Sequence, residues 1–167
     1  MPFTIRPGLP KDLDTVVNLT CALAEETENG LQLMREKVNV GVSRGLSEEA
    51  AGAESLKPRY WVAENEGGTV VAFVAISPEW SDWWATTYWW VLSVFVDPAA
   101  RRQGIAKALF HAMQEDADRL GVQTINLRVE TANASAQDFY KSCGFVVDDS
   151  HLVMSRGSKP DGTAVGS

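Results

Sequence analysis

The residues most suited to chemistry form a glycine-containing turn between a predicted strand and a predicted helix. The turn follows an apolar run that ends at Val96 and consists of Arg101, Arg102, Gln103, Gly104, Ile105, Ala106 and Lys107. The first backbone N–H groups of a helix have no partner within it, and with the positive end of the helix dipole they bind anions. Gly104 allows close approach to the backbone, and the basic side chains add positive charge. The turn therefore suits a pyrophosphate, although its spacing alone also fits an ordinary strand-to-helix connection.

An aromatic cluster precedes this turn. Six aromatic side chains fall within eleven residues: Trp80, Trp83, Trp84, Tyr88, Trp89 and Trp90. Side chains alternate along a strand, so we expect Trp89 and Trp90 on opposite faces of the sheet. The cluster is compatible with core packing, with a dimer interface, or with a pocket that binds an amine by cation–π contact.

The elements that must position these groups alternate between strands and helices. Hydrophobic periodicity and turn signals predict strands over 3–6, 60–64, 69–76, 88–96 and 124–129. They predict helices over 10–28, 31–46, 104–120 and 133–143. We expect an aromatic-rich loop over 77–87 and a closing antiparallel pair over 145–147 and 152–155. This order predicts an α/β (α+β) fold with a mixed sheet flanked by four helices.

Length and composition favour one globular domain. The chain has 167 residues, and we expect a domain over 1–156 followed by a flexible tail over 157–167. The net charge of -7 argues against a nucleic-acid partner. It fits either a cationic acceptor or a simple requirement for solubility. We find no leader-like or membrane-spanning pattern, so we expect a cytoplasmic protein with no membrane partner.

The two cysteines, Cys21 and Cys143, suggest neither a disulfide framework nor a zinc site. They are typical of reduced thiols in or near a core. We therefore expect no metal.

The turn and its flanks resemble the Gcn5-related N-acetyltransferase (GNAT) superfamily. Arg101-x-x-Gly104-x-Ala106 matches the family's acetyl-CoA motif, Gln/Arg-x-x-Gly-x-Gly/Ala. Residues 93–98 are similar to the end of the family's central fourth strand. The resemblance is strong over 91–145 and consistent over 3–76. It implies the GNAT fold, with a mixed, mostly antiparallel sheet of six to seven strands flanked by four helices.

A second segment supports the resemblance, because Asn133, Phe139-Tyr140 and Gly144-Phe145 are similar to the family's second cofactor segment. The resemblance implies acetyl-CoA (coenzyme A) as co-substrate. Backbone groups over Val94, Phe95 and Val96 would then hold the pantetheine arm and the acetyl carbonyl. The seven-residue turn would hold the pyrophosphate, and Asn133 and Tyr140 would also contact the cofactor.

The resemblance also implies a mechanism of direct attack in a ternary complex. A neutral amine attacks the thioester, and the Val94 amide stabilises the developing negative charge on oxygen. Tyr140 then protonates the departing thiolate, for which a phenol has suitable acidity.

The base that deprotonates the amine is less clear from the sequence. Some family members carry a glutamate where this chain has Trp90. Glu26 and Glu79 are the first alternatives, either as bases or as anchors for a cationic substrate. We expect the acceptor site to include Glu28, Trp80, Asp82 and Trp90.

The sequence therefore predicts an acetyl-CoA-dependent N-acetyltransferase that acts on a primary amine of a small molecule or peptide. The alternative is a non-catalytic acyl-CoA-binding sensor, and the glutamate missing at position 90 keeps that alternative open. Either a monomer or a homodimer is compatible with the sequence.

Overall fold

The computed structural model describes residues 2–27, 33–46, 55–150, 154 and 156–157. The described residues form two compact units, one before and one after the boundary between Glu130 and Thr131. The first unit contains five strands and three helices: β1 (Phe3–Pro7), α1 (Leu13–Thr27), α2 (Arg35–Ser43), β2 (Arg59–Asn65), β3 (Val70–Ser81), β4 (Thr86–Val96), α3 (Ile105–Arg119) and β5 (Ile125–Leu127). The second unit contains α4 (Ala134–Ser142).

The five described strands form one sheet in the order β1-β2-β3-β4-β5. Neighbouring strands are antiparallel except for β4 and β5, which are parallel. The predicted mixed, mostly antiparallel sheet with four helices is therefore confirmed.

The predicted strand over 145–147 does not form, which brings the number of described strands below the expected six to seven. Val146 and Val147 are 88% and 75% exposed, so this short apolar run gains no burial from a neighbouring strand. Most of its predicted partner, over 152–155, lies outside the described residues.

The two faces of the sheet carry different helices. A buried cluster joins α1 and α2 to one face: Val16, Val17, Leu19, Val42, Leu46, Val62, Val70, Phe73, Ala75 and Phe95. On the other face, the Trp61 indole N–H donates to Asp116 of α3 at 2.8 Å, and the Trp61 and Trp89 rings are 5.6 Å apart. Alternation along β4 then directs Trp90 to the α1/α2 face. Trp89 and Trp90 therefore lie on opposite faces of the sheet, as the sequence predicts.

The prediction of a loop over 77–87 is wrong, because most of these residues belong to a long hairpin. β3 and β4 remain paired as far as Ser81 and Thr86. Pro78 suggests a break in the sequence but removes no ladder hydrogen bond. The Trp89 N–H donates to Thr124 in the direction of β5, so the nitrogen of Pro78, which is opposite, points away from β4. On that side, β2 has already ended opposite Ile76.

A buried carboxylate fixes the beginning of α1. Asp12 accepts hydrogen bonds from the Arg6 guanidinium at 2.7 and 2.9 Å and from the Leu9 N–H at 2.8 Å. Arg6 also pairs with Glu64 of β2. Burial opposes ionisation of Asp12, but the bonds from Arg6 and Leu9 outweigh it and lower the pKa of Asp12.

Three smaller observations complete the fold. Both Cys21 and Cys143 are free thiols. No helix in the described part of the chain is long and apolar enough to cross a membrane. The same ranges contain no group of three or more His, Cys, Asp or Glu side chains that could hold a metal ion.

Candidate active site

A β-bulge in β4 changes the direction of its backbone groups. Ala75 is opposite Ser93 and Ile76 is opposite Val91, so Leu92 is an extra residue on β4. Before the bulge, the Trp89 N–H points toward β5, where it donates to the Thr124 carbonyl at 3.0 Å.

After the bulge, the backbone groups of Val94 and Val96 point away from β3. The Asp97 N–H donates to the Val71 carbonyl of the β3 chain at 2.8 Å. Because hydrogen-bonding direction alternates along an antiparallel strand, Phe95 also points toward β3, whereas Val94 and Val96 point to the opposite edge. The bulge therefore directs these two residues toward the β5 side.

That edge of β4 is open beyond Val91. Within the described residues, β5 pairs with β4 only from Trp89 opposite Ile125 to Val91 opposite Leu127. The Val94 and Val96 groups therefore have no strand partner on this side and can pair with the amides of an extended ligand. This geometry fits the role that the family resemblance implies for Val94 and Val96. It does not fit that role for Phe95, because the Phe95 backbone groups point toward β3.

The glycine-containing turn leads directly from this strand to α3. Gly104, the N-cap of α3, has φ 79°, and Arg102 has φ 64°. A Cβ atom placed on Gly104 would meet no heavy atom within 4 Å, so packing does not explain this glycine. Glycine suits this position because the backbone there is left-handed, a conformation that other residues rarely adopt. The space beside the helix start is open. Arg102 and Lys107 are exposed beside this helix start and add positive charge there, an arrangement that suits an anion.

Arg101 connects the turn to both β4 and α1. Its Nε donates to the Val96 carbonyl at 3.0 Å, and its Nη2 donates to Glu26 at 2.6 Å. The bond to Glu26 raises the pKa of Arg101 above its usual value. Glu26, at the end of α1, is thereby held beside the open edge of β4.

Trp90 lies between a carboxylate and a guanidinium. Its indole N–H donates to Glu79 of β3. The guanidinium carbon of Arg128 is 4.5 Å from the centroid of the Trp90 ring. We call Glu79, Trp90 and Arg128 the Trp90 cluster. The sequence analysis did not identify Arg128, because the proximity of Arg128 to Trp90 depends on the register between β4 and β5.

The other residues expected in the acceptor site are less closely grouped. Trp80 is 48% exposed on β3, where alternation puts it on the face opposite Glu79. Asp82 is exposed in the turn of the hairpin. Glu28 lies outside the described residues.

In the second unit, Asn133 caps α4 by accepting a hydrogen bond from the Ala136 N–H at 3.0 Å. The Tyr140 ring is 5.4 Å from the Phe139 ring and 6.2 Å from the Phe145 ring. Burial, with a smaller effect of Cys143, raises the pKa of Tyr140 above its usual value. Its phenol is therefore protonated at neutral pH, as a proton donor must be.

Comparison with known proteins agrees with this geometry. A family model described as the acetyltransferase (GNAT) family matches residues 31–145. A possible acetyltransferase from Clostridium difficile 630 superposes with a TM-score of 0.80 and 29% identity, covering 95% of this chain and 100% of that one. An aminoglycoside acetyltransferase from an uncultured soil metagenomic sample, in complex with sisomicin, has a TM-score of 0.71 at 16% identity, over 94% of this chain and 97% of that one. At that identity the likeness concerns the fold alone.

A curated relative is similar over a shorter region. The ribosomal protein bS18-alanine N-acetyltransferase of Escherichia coli (strain K12) is 36% identical over 55 residues, which are 33% of this chain and 37% of the relative. The match thus spans little more than a third of the relative's length.

The mixed five-stranded sheet with its four helices defines the class of protein, a mixed α/β fold. With a family model that matches more than half of its length, this chain belongs to the acetyltransferase (GNAT) family. The predicted family and class of enzyme are therefore confirmed at the level of the family.

Proposed function

We propose that this protein is an N-acetyltransferase that transfers the acetyl group of acetyl-CoA directly to a primary amine in a ternary complex. The observation that carries the proposal is the open edge of β4. The outward backbone groups of Val94 and Val96 lie next to the turn that begins α3, so one extended ligand can contact both. Family membership supports acetyl-CoA as that ligand.

In this proposal the chain's own groups bind and orient the thioester. The backbone groups of Val94 and Val96 would pair with the pantetheine amides, whereas those of Phe95 are engaged by β3. The turn would hold the diphosphate through its backbone N–H groups. Arg101 donates to the Val96 carbonyl in the present structure. It would therefore have to share or release that carbonyl when a ligand amide pairs with it. The resemblance to the family's second cofactor segment assigns Asn133 to the same ligand.

The Val94 N–H would donate to the thioester oxygen as negative charge develops there. Tyr140 would give its proton to the departing thiolate, and its raised pKa keeps that proton available at neutral pH. Holding both substrates together would supply much of the rate enhancement.

Glu26 is the better of the two candidate bases in this proposal. Its contact with Arg101, which also contacts Val96, keeps it near the outward groups of β4. Glu79 instead accepts the Trp90 indole N–H, which suits a residue that orients an aromatic ring. With Glu26→Gln, the rate should fall at neutral pH by at least about 10-fold and recover as rising pH deprotonates the amine directly. A pH–rate profile that parallels the parent's would remove Glu26 as the base.

The acceptor in this proposal is an amine of a small molecule or a peptide. The curated relative named for a ribosomal-protein alanine supports an amine in general and does not choose between these sources. A cytoplasmic location, the absence of a metal requirement, and the extent of the domain and tail remain predictions from the sequence. So does the choice between monomer and homodimer.

The proposal is tested by mixing the protein with acetyl-CoA and a panel of primary amines, and by following free thiol and acetylated product. We expect amine-dependent thiol release. Tyr140→Phe should lower turnover by about 100-fold while calorimetry gives an unchanged affinity for coenzyme A. Tight coenzyme A binding with no thiol release from any amine would instead favour the sensor that the sequence left open.

A further inference from the structure

Arg128 is the residue that immediately follows β5, and it is held on an aromatic platform. Its guanidinium carbon is 4.5 Å from the centroid of the Trp90 ring, within range for cation–π attraction. The indole N–H of Trp90 donates to Glu79, which fixes the plane of the ring. The Trp90 cluster therefore restricts where the Arg128 guanidinium lies.

Arg128 differs from Arg6 and Arg101, because no ion pair joins it to a carboxylate of the described residues. Arg6 pairs with Asp12 and Glu64, and Arg101 pairs with Glu26. Among the described residues, no carboxylate lies within ion-pair distance of Arg128. The chain has 22 acidic residues and a net charge of -7, yet none of the acidic residues that the structure describes pairs with this guanidinium.

The cluster lies where β4 and β5 separate. Their last pair is Val91 opposite Leu127, and Arg128 comes directly after it. The open edge that begins there includes the outward groups of Val94. Arg128 is thus beside the end of the edge to which the proposed function assigns the thioester.

The cluster also lies on the face opposite α3. Trp89 and Trp61 face α3, and Trp90 faces the other way. A ligand gripped by the turn that begins α3 reaches the open edge from the α3 face. A second ligand can therefore approach the same edge from the Trp90 face, where it meets Arg128.

We infer that Arg128 binds a carboxylate of the acceptor, so that the acceptor is an amine with a carboxylate close to its reacting nitrogen. This inference rests on the proposed function, whose acceptor class it narrows. The planar guanidinium matches a carboxylate through two parallel hydrogen bonds, and stacking on Trp90 orients it in advance. A free amino acid and a peptide with an acidic residue next to its N-terminus share this chemistry, whereas Arg128 repels a polycation.

The test compares matched acceptors in the parent and in Arg128→Gln. The acceptors are an amino acid and its amide, and two dipeptides that differ only in a second residue of Asp or Asn. For each pair, kcat/KM of the carboxylate form is divided by that of the amide form. Comparing this ratio between the two proteins cancels the intrinsic difference in amine reactivity. We expect the ratio to fall by about 10- to 100-fold in the variant, mainly through a raised KM.

The two acceptor pairs distinguish the source of the carboxylate. A fall confined to the amino acid pair supports a free amino acid, and a fall confined to the dipeptides supports an acidic peptide. Arg59→Gln is a matched control, because Arg59 also stacks on a tryptophan, at 5.3 Å from the Trp89 centroid, but on the α3 face. Its carboxylate-to-amide ratio should equal that of the parent.

An unchanged ratio in Arg128→Gln would overturn the inference, as would an equal change in the Arg59 control. In either case thiol release with the amide acceptors would still uphold the transferase. Absence of thiol release with every amine would overturn the proposed function itself, and this inference with it. Melting curves of each variant establish that it is folded before the rates are compared.

Discussion

The sheet has a closed half and an open half. From β1 to β3 the strands pair along their edges, and helices cover both faces. Beyond Val91, β4 has a strand partner on one side only within the described residues, and the turn next to it begins α3 at a left-handed glycine. The same strand, β4, belongs to both halves.

The difference separates two uses of similar residues. In the closed half, Arg6 and Asp12 pair with each other, and the buried Trp89 ring fills space in the core. In the open half, the proposals above assign backbone groups and the Arg128 guanidinium to a ligand. Substitutions in the closed half should therefore lower stability, and those in the open half should lower binding. Four predictions test this separation, from the largest expected effect to the smallest.

Trp89→Ala should have the largest effect. Trp89 is fully buried against Trp61, so its removal leaves a large cavity and should lower the free energy of unfolding by about 4 kcal/mol. Denaturant unfolding measures this. Trp84→Ala, at a position 71% exposed, is the matched control and should change stability by less than about 0.5 kcal/mol. Similar losses in both variants would contradict the burial described for β4.

Asp12→Asn should lower the free energy of unfolding by about 3 kcal/mol at neutral pH, because it removes one partner of a buried ion pair. The pKa of Asp12 is lowered in the folded state, so its stabilisation is present above the unfolded pKa, about 3.9. It is lost as pH falls through the still lower folded pKa. The gap between parent and variant should thus narrow below about pH 4 in denaturant titrations. A constant gap down to pH 2 would argue against this ion pair.

Gly104→Val should lower coenzyme A affinity by at least about 100-fold, equal to about 2.7 kcal/mol, as measured by calorimetry. A β-branched residue opposes the left-handed φ, and its side chain would occupy the open space beside the helix start. Gly121 at the other end of α3 is a matched control, with φ 74° and equally open surroundings. Gly121→Val should cost similar stability and leave affinity unchanged. Equal affinity losses would mean that strain in α3, and not the turn, governs binding.

Glu26→Gln should have the smallest effect on stability. It makes the same carboxylate-to-amide change as Asp12→Asn at the opposite end of α1, but its partner Arg101 is exposed. Exposed ion pairs contribute little, so the free energy of unfolding should change by less than about 1 kcal/mol. Thermal or denaturant unfolding checks this. If Glu26→Gln lowered the free energy of unfolding as much as Asp12→Asn, the predicted difference between the two ends of α1 would be wrong.

Much of the fold follows from local sequence. Gly121 follows the end of α3 in the left-handed conformation typical of a C-terminal glycine, and Asn133 caps the beginning of α4. Asn65 and Gly68, which are typical turn residues, form the turn between β2 and β3. These signals succeed because capping and turn formation involve only neighbouring residues. The hairpin over 77–87 was missed because Pro78 is tolerated only where β2 has already ended, which depends on pairing between distant residues.

The sequence by itself determined the glycine-containing turn, the apolar strand before it and the helix after it. Their order along the chain already specifies that a helix begins beside the end of a strand. Only the tertiary structure decided which backbone groups of β4 point outward, because that depends on the bulge at Leu92 and on where β5 stops pairing. The tertiary structure also brought Arg101 to Glu26 and Arg128 to Trp90. Residues so far apart in the chain meet only when strand register and helix packing are fixed together, which no local pattern encodes.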